Sequence, residues 1–125
     1  MAQDTKNFKV SEFACKCCGK NLIDQRVINM AQEIRDKLGV AVRVNSGYRC
    51  EAHNAKVGGV KGSKHTKGRA CDLSCSLGAQ KMKEAVQALR AEGKLQDLDY
   101  CIRYGDRFIH IDCGGKRSRL YEDRP

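Results

Sequence analysis

Residues 63–75, SKHTKGRACDLSC, place a histidine and an aspartate seven positions apart, with a glycine between them. The last six residues alternate, so that Asp72 falls on one face of a predicted strand while Leu73 falls on the other, apolar face. His65 precedes this strand in a loop that is rich in glycine. We therefore expect a carboxylate that points away from the core, next to a loop histidine that can reach the same side of the sheet.

Two helices are predicted, one on each side of this stretch. The first follows Asp24 as its N-cap and ends at Gly39, and the second covers residues 79–92. Near the N-terminus, residues 8–14 predict a short extended segment that runs into a tight loop.

The remaining pattern predicts strands. Residues 40–46, VAVRVNS, alternate as a strand with one buried face, and residues 99–114 predict a hairpin that turns at Gly105. Residues 46–69 form a polar loop that is long for a structureless connection, and loops of that size usually have a function. We expect a small α+β domain, residues 1–125, with an antiparallel sheet and two main helices.

The composition excludes some classes of protein. Hydrophobic residues make up 41% and charged residues 31% of the chain, with one proline, as in folded globular proteins. The sequence contains no long apolar run and no secretory signal, so we expect a protein that is made in the cytosol and has no membrane partner. We also expect it to be a monomer. The formal charge of +9 favours a polyanionic partner, although only residues 116–119, KRSR, form a dense basic cluster.

The eight cysteines favour metal ligands or buried thiols over a disulfide framework. Cys15, Cys17 and Cys18 are crowded together, and Cys50 could join them if the N-terminal loop packs on the end of a strand. A structural zinc site there is one interpretation, but CxCC lacks the two CxxC pairs, CxxC…CxxC, whose spacing is typical of such sites. A disulfide formed after release from the cell, or buried thiols, is the preferred interpretation. The other cysteines, on apolar strand faces, are expected in the core: Cys71, Cys75, Cys101 and Cys113.

Two of the three histidines complete a metal-ligating pattern with Asp72. His65 lies in the loop, Asp72 on the strand after it and His110 on a distant strand, so closure of the sheet can bring them together. Catalytic zinc sites use three ligands of these types and keep one coordination position for water. Such a centre supports hydrolysis. The same spacing also occurs by chance, and these residues would then be an ordinary solvated loop and strand.

The segments SGYRCEAHN, SKHTKGRACDLS and FIHID occur in an order that resembles the zinc D-alanyl-D-alanine carboxypeptidase family, which includes phage endolysins and bacterial peptidoglycan peptidases. Five positions match its pattern of serine, metal histidine, glycine, alanine and metal aspartate: Ser63, His65, Gly68, Ala70 and Asp72. The second metal histidine matches His110, and the arginine of SGYR matches Arg49. The resemblance implies one Zn²⁺ held by His65, Asp72 and His110, in the small α+β fold that these peptidases share with the hedgehog signalling domain.

The resemblance does not identify the residue that accepts the proton. Many relatives carry an acidic residue three positions before the last zinc histidine, or a histidine two before it, but this chain has Arg107 and Phe108 there. Asp112 follows that histidine on the same strand face and is the preferred catalytic base, ahead of Asp106 and His53. The alternative is that Asp112 orients the zinc histidine by accepting its free N–H.

Two residues are expected to touch the substrate. By resemblance, Arg49 contacts a carbonyl or carboxylate of the substrate, which suits a bidentate guanidinium. Ser63 either hydrogen-bonds the substrate or caps the loop.

The resulting hypothesis is a zinc peptidase that hydrolyses peptidoglycan stem peptides, of the D-Ala-D-Ala carboxypeptidase or the L,D- or D,D-endopeptidase type. It would be a phage or prophage endolysin, a bacterial wall hydrolase or a phage-associated protein, acting on the wall after release from the cytosol. One alternative is an inactive zinc-binding module that recognises the wall or a protein. Another is a nucleic-acid-binding zinc module, which the aromatic content of 6% disfavours.

Overall fold

A computed structural model describes residues 2–115 and 120–125 of the chain. The basic cluster at residues 116–119 lies outside the described residues. The helices are α1 (Gln25–Leu38), α2 (Glu51–Lys56) and α3 (Ala79–Ala91), and the strands are β1 (Val42–Ser46), β2 (Ala70–Cys75), β3 (Tyr100–Tyr104), β4 (Phe108–Asp112) and β5 (Tyr121–Arg124). Within the described ranges, no helix has the length and apolar character needed to cross a membrane.

The five strands form one sheet in the order β1-β2-β4-β3-β5. All neighbouring pairs are antiparallel except β3 and β5, which are parallel. The register pairs Asp72 with His110 and Ala70 with Asp112. Because directly opposed residues lie on the same face of a sheet, Asp72, His110 and Asp112 share one face. The predicted α+β class is confirmed, with a parallel edge strand in addition to the antiparallel pairs.

The opposite face of the sheet carries the hydrophobic core. Leu73, Ile109 and Ile111 are fully buried there, and α1 and α3 pack against each other and against the sheet. The Asp24 side chain accepts the N–H of Arg26 at the start of α1, and Gly39 ends that helix in the left-handed conformation, as predicted. The helices therefore cover one face, which leaves the face with the candidate ligands open.

Two predictions about the N-terminal half are wrong. Residues Val10–Phe13 form a short 3₁₀ helix rather than an extended segment, because Glu12 accepts the backbone N–H of Lys9 and stabilises the first turn. The long loop also contains regular structure, namely α2 and a second 3₁₀ helix, Lys64–Lys67. Elements of four to six residues are too short to show a helical period in the sequence.

Gly68 fixes the end of the second 3₁₀ helix against the start of α1. Its φ is 71°, its carbonyl accepts the N–H of Asp24 at 2.8 Å, and an added Cβ would collide with the carbonyl of Leu22. We expect Gly68→Ala to lower the free energy of unfolding by about 2–4 kcal/mol, because backbone strain and overpacking add. The matched control is Gly58→Ala, where φ is 74° but a Cβ meets no atom within 4 Å of the described structure.

Urea unfolding of both alanine variants measures this difference. Gly58→Ala should show only the cost of the left-handed conformation, about 1 kcal/mol. Equal losses in the two variants would mean that the contact with Leu22 is unimportant.

Candidate metal centre

His65 is held with one ring nitrogen facing the open side of the sheet. The 3₁₀ helix that carries it begins at Ser63, whose Oγ accepts the backbone N–H of His65 at 3.2 Å. Its Nδ1 lies 2.8 Å from the carbonyl oxygen of Gly47, an acceptor, so the hydrogen-bond network assigns the ring proton to Nδ1. The lone pair of Nε2 therefore faces Asp72, with 3.2 Å between Nε2 and Oδ1.

His110 is oriented in the same manner by a different partner. Its Nε2 lies 2.8 Å from Oδ2 of Asp112, which assigns the ring proton to Nε2. Its Nδ1 lies 3.0 Å from Oδ1 of Asp72 and presents a lone pair to it. Each histidine thus donates its N–H to an oxygen behind it, an arrangement that is typical of histidines that ligate metals.

Three electron-pair donors consequently converge on one point. Nε2 of His65, Oδ1 of Asp72 and Nδ1 of His110 are all acceptors, and the three residues offer ligand atoms within 4.8 Å of one another. Acceptors that face one another require a cation between them, either a proton or a metal ion. Two imidazoles and one carboxylate form the donor set of a catalytic zinc site, so the residues fit Zn²⁺.

The pKa values at this centre follow from the same contacts. Burial raises the pKa of Asp72, but the contacts with His110 and His65, in which a protonated imidazole donates, outweigh it and hold the pKa well below its usual range. Burial lowers the pKa of His110, but the contacts with Asp112 and Asp72 outweigh it and raise the pKa.

Arg49 holds the second oxygen of Asp72. Its Nη2 donates to Oδ2 of Asp72 at 3.2 Å, while Nε donates to Ser46 Oγ at 3.0 Å and Nη1 to Asn54 Oδ1 at 3.2 Å. These contacts fix the guanidinium and leave Oδ1 of Asp72 directed at the two histidines. Arg49 also lines the cavity above the centre, where a substrate can reach it.

The centre opens into a cavity of about 580 Å³. Its wall includes residues that the sequence reasoning missed: Lys64, Tyr100, Tyr104, Phe108 and Arg124. The rings of Tyr104 and Phe108 stack with 4.6 Å between their centroids, and Arg124 lies over Tyr104. Alternation along β3 and β4 could have identified the aromatic residues, because Tyr100, Tyr104 and Phe108 share the face of His110. Arg124 lies on β5, for which no strand was predicted.

Asp112 is the second carboxylate of the cavity lining. Its side chain is 1% exposed, with Oδ2 bound to His110 and with Lys64 Nζ 3.9 Å from Oδ1. Oδ1 is buried and has no hydrogen-bond partner in the described part of the chain. The contact with His110 is the one expected of an orienting carboxylate.

The two other candidates for the catalytic base lie elsewhere. Asp106 lies in the turn between β3 and β4, next to the first residues of α3, where its Oδ1 accepts the N–H of Gln80 at 3.2 Å. His53 lies on α2, and neither residue is among those described residues that line the cavity. Ser63 does line the cavity and also caps the 3₁₀ helix, so both of its predicted roles are compatible with its position.

A family model described as Peptidase M15 matches residues 6–112. The chain belongs to the M15 peptidase family. The match includes Arg49, His65, Asp72 and His110 and ends at Asp112, so β5 and its contribution to the cavity lie beyond it. M15 peptidases are zinc metallopeptidases, which agrees with the donor set that the geometry brings together. A search of curated proteins found no match.

Seven of the eight cysteines fall into two groups, and the eighth, Cys17, is exposed. All eight are free thiols in the structure. Cys71, Cys101 and Cys113 are fully buried and Cys75 is half-buried against the core, as expected. The second group brings together the sulfur atoms of three residues from the N-terminal loop and the start of α2: Cys15, Cys18 and Cys50.

Proposed function

We propose that this chain is a zinc peptidase that hydrolyses peptide bonds in peptidoglycan stem peptides. The observation that carries the proposal is the convergence of three lone pairs, from His65, Asp72 and His110, at an open cavity. Membership of the M15 family supports a zinc-dependent peptidase, and the substrate class is the inference added here. A divalent ion held by these residues would acidify a water molecule and polarise the scissile carbonyl.

The charges of the cavity support a substrate that carries carboxylates. Arg49, Lys64 and Arg124 all line it, and the only carboxylates among its described lining residues are Asp72 and Asp112. Both acids already have partners, because Asp72 binds both histidines and Arg49, while Asp112 binds His110. The lining therefore carries three cations against two carboxylates, and a short acidic peptide such as a stem peptide would share Arg49 with Asp72 and Arg124 with Glu122.

The dimensions and the overall charge support the same class of substrate. A cavity of about 580 Å³ is in the range of small-molecule sites and accepts a few residues of an extended peptide. The net charge of +9 favours association with an anionic wall. We infer that the protein, as an endolysin, a wall hydrolase or a phage-associated protein, acts on the wall after release from the cytosol.

Asp112 positions His110 in this proposal. Asp112→Asn keeps an oxygen that can accept the Nε2–H of His110, whereas Asp112→Ala removes it. We expect Asp112→Ala to lower zinc affinity and activity by about 10–100-fold, and Asp112→Asn to lower both much less. Zinc affinity by competition with a chelator, together with kcat, measures both effects.

The same pair of variants tests Asp112 as the catalytic base. An asparagine cannot accept a proton, so a base role predicts that Asp112→Asn loses at least about 100-fold in kcat while it keeps its zinc. That role also predicts loss of the acidic limb of the pH–rate profile. This result would replace the positioning role by the catalytic one.

The function itself is tested by digestion of purified peptidoglycan, with the released fragments identified by mass and bound zinc counted. Release of defined stem-peptide fragments is the expected result, and the fragments identify the bond that is cut. A protein that holds zinc but releases nothing from any wall type is instead a binding module. Salt-sensitive binding to DNA or RNA that survives His65→Ala would favour the nucleic-acid module.

A further inference from the structure

The cysteine cluster near the N-terminus is a second group of metal-binding side chains, and the proposed peptidase function does not use it. Cys15, Cys18 and Cys50 offer sulfur atoms within 4.8 Å of one another. Cys17 lies in the same turn, between Lys16 and Cys18. We propose that these four cysteines bind a structural Zn²⁺ that ties the N-terminal loop to the segment carrying Arg49.

The first half of this site is a tight turn that brings the sulfur atoms of Cys15 and Cys18 close together. Cys15 and Cys18 are three positions apart and are followed by Gly19, whose φ is 75°. The N–H of Gly19 donates to the carbonyl of Cys15 at 2.8 Å, and the N–H of Cys15 donates to the carbonyl of Lys20, also at 2.8 Å. The chain therefore reverses within CKCCGK. A CxxC pair, Cys15 and Cys18, is thus present within the CxCC motif.

Backbone N–H groups are directed at two of the sulfurs. Cys15 Sγ accepts the backbone N–H of Cys50 at 3.4 Å, and the N–H groups of Cys17 and Cys18 are also directed at it. Cys50 Sγ accepts the N–H of His53 at 3.4 Å. Such bonds stabilise negative charge on sulfur, and metals bind the thiolate rather than the thiol. The backbone thus prepares two of the sulfurs for a cation.

The donor set selects the metal. Three sulfurs within 4.8 Å of one another, with Cys17 as the proposed fourth ligand, favour Zn²⁺ in tetrahedral coordination, and a site with four protein ligands has no open position for water. Binding releases the thiol protons to solvent and involves no change in oxidation state. The exposed side chains of Lys16 and Lys20 flank the turn, where their charges offset the excess negative charge of a zinc ion with four thiolates.

The position of the cluster gives the ion a structural role. Tyr48 donates its N–H to the carbonyl of Phe13 at 2.8 Å, so the N-terminal segment already contacts the chain just before Cys50. Arg49 lies between these two contacts. A zinc ion across Cys15 and Cys50 would thus hold the backbone of Arg49 in place, next to the Asp72 carboxylate that it binds.

A His65→Ala variant allows this site to be measured separately, because it lacks one ligand of the first centre. Loaded with Zn²⁺ in reducing buffer, it should retain one equivalent of tightly bound metal, and wild type should hold two. Loaded with Co²⁺, it should show the sulfur-to-cobalt charge-transfer absorption and the intense visible bands of tetrahedral cobalt. Histidine and carboxylate ligands do not give that charge-transfer absorption.

Substitution of one ligand assigns the absorption to the cluster. Cys18→Ser in the His65→Ala background should weaken and shift the charge-transfer absorption, because one of the four sulfur-to-cobalt bonds is lost. Cys18 is exposed, so its replacement leaves the core intact. Cys75→Ser is the matched control, a half-buried cysteine on β2 outside the cluster, and should leave the spectrum unchanged. Circular dichroism shows whether each variant is folded.

Alkylation of the native protein counts the ligands. Cys17 and Cys18 are exposed, so both should react rapidly with iodoacetamide in zinc-free protein and be protected when zinc is bound. Protection of Cys18 but not of Cys17 would remove Cys17 from the site.

Three results would overturn the site as a whole. The first is a folded His65→Ala protein that retains no zinc. The second is charge-transfer absorption that Cys18→Ser leaves unchanged, and the third is a disulfide among these cysteines in protein whose thiols were blocked at cell lysis. None of these results depends on peptidase activity, so the zinc cluster and the proposed function can fail independently.

Discussion

His65→Ala is expected to abolish peptidoglycan hydrolysis and to remove the metal from the cavity. The imidazole supplies one of the three ligands that the described residues bring together, and its Nε2 lies 3.2 Å from the carboxylate oxygen that the two histidines share. Without it, His110 and Asp72 alone would have to hold the ion. We expect kcat to fall by at least about 1,000-fold, since both the activated water and the polarised carbonyl depend on that ion.

The experiment measures stem-peptide release together with metal loss from the cavity. His53→Ala is the matched control, because it removes the one histidine that does not line the cavity. It should keep at least half of the wild-type activity. If His53→Ala loses as much as His65→Ala, the assignment of the ligands is wrong; if His65→Ala remains active, hydrolysis does not depend on this centre.

The common face of the ligands could be predicted from local pattern alone. Asp72 and His110 both alternate with apolar residues, and a strand's side chains alternate between faces, so each had to leave the core in the same general direction. The structure adds the register of the two strands. Asp72 pairs directly with His110, and this brings their side chains together. The pattern was informative because one face of the sheet is completely buried.

The ring nitrogens that face the centre could not be predicted in this way. Nδ1 of His65 is oriented by the carbonyl of Gly47, eighteen residues away, and this contact depends on the fold of the loop between them. For His110 the orienting group is Asp112, two residues away. That partner was identified from the sequence, but its contact with Nε2 became evident only from the geometry.

The missed elements are those that tertiary contacts create. β5 has the sequence YEDR, which lacks the apolar alternation of a buried strand, and it is ordered by parallel pairing with β3. α2 has only six residues, and its first turn is capped by the thiol of Cys50. Cysteine is not one of the usual capping residues, so no helix was predicted there. Both elements lie near the cavity. β5 brings Arg124 to its wall, and α2 begins two residues after Arg49.

Arg49→Lys is expected to reduce hydrolysis strongly while it leaves the metal in place. A lysine keeps the positive charge, but it cannot contact Ser46, Asn54 and Asp72 together, as the guanidinium does. The substrate would thus lose a fixed donor at the edge of the centre. We expect kcat/KM to fall by about 100–1,000-fold, the loss that is typical when one donor to a developing negative charge is removed.

The comparison with metal content separates two explanations for such a loss. If Arg49 mainly contacts the substrate, Arg49→Lys keeps its full zinc content and loses only kcat/KM. If the main role of Arg49 is to orient Asp72, zinc affinity and kcat/KM of Arg49→Lys fall in parallel. Arg43→Lys, at an exposed position on β1, is the matched control and should change neither quantity. Full activity in Arg49→Lys would mean that a positive charge is sufficient there, and that the three contacts of the guanidinium do not contribute to catalysis.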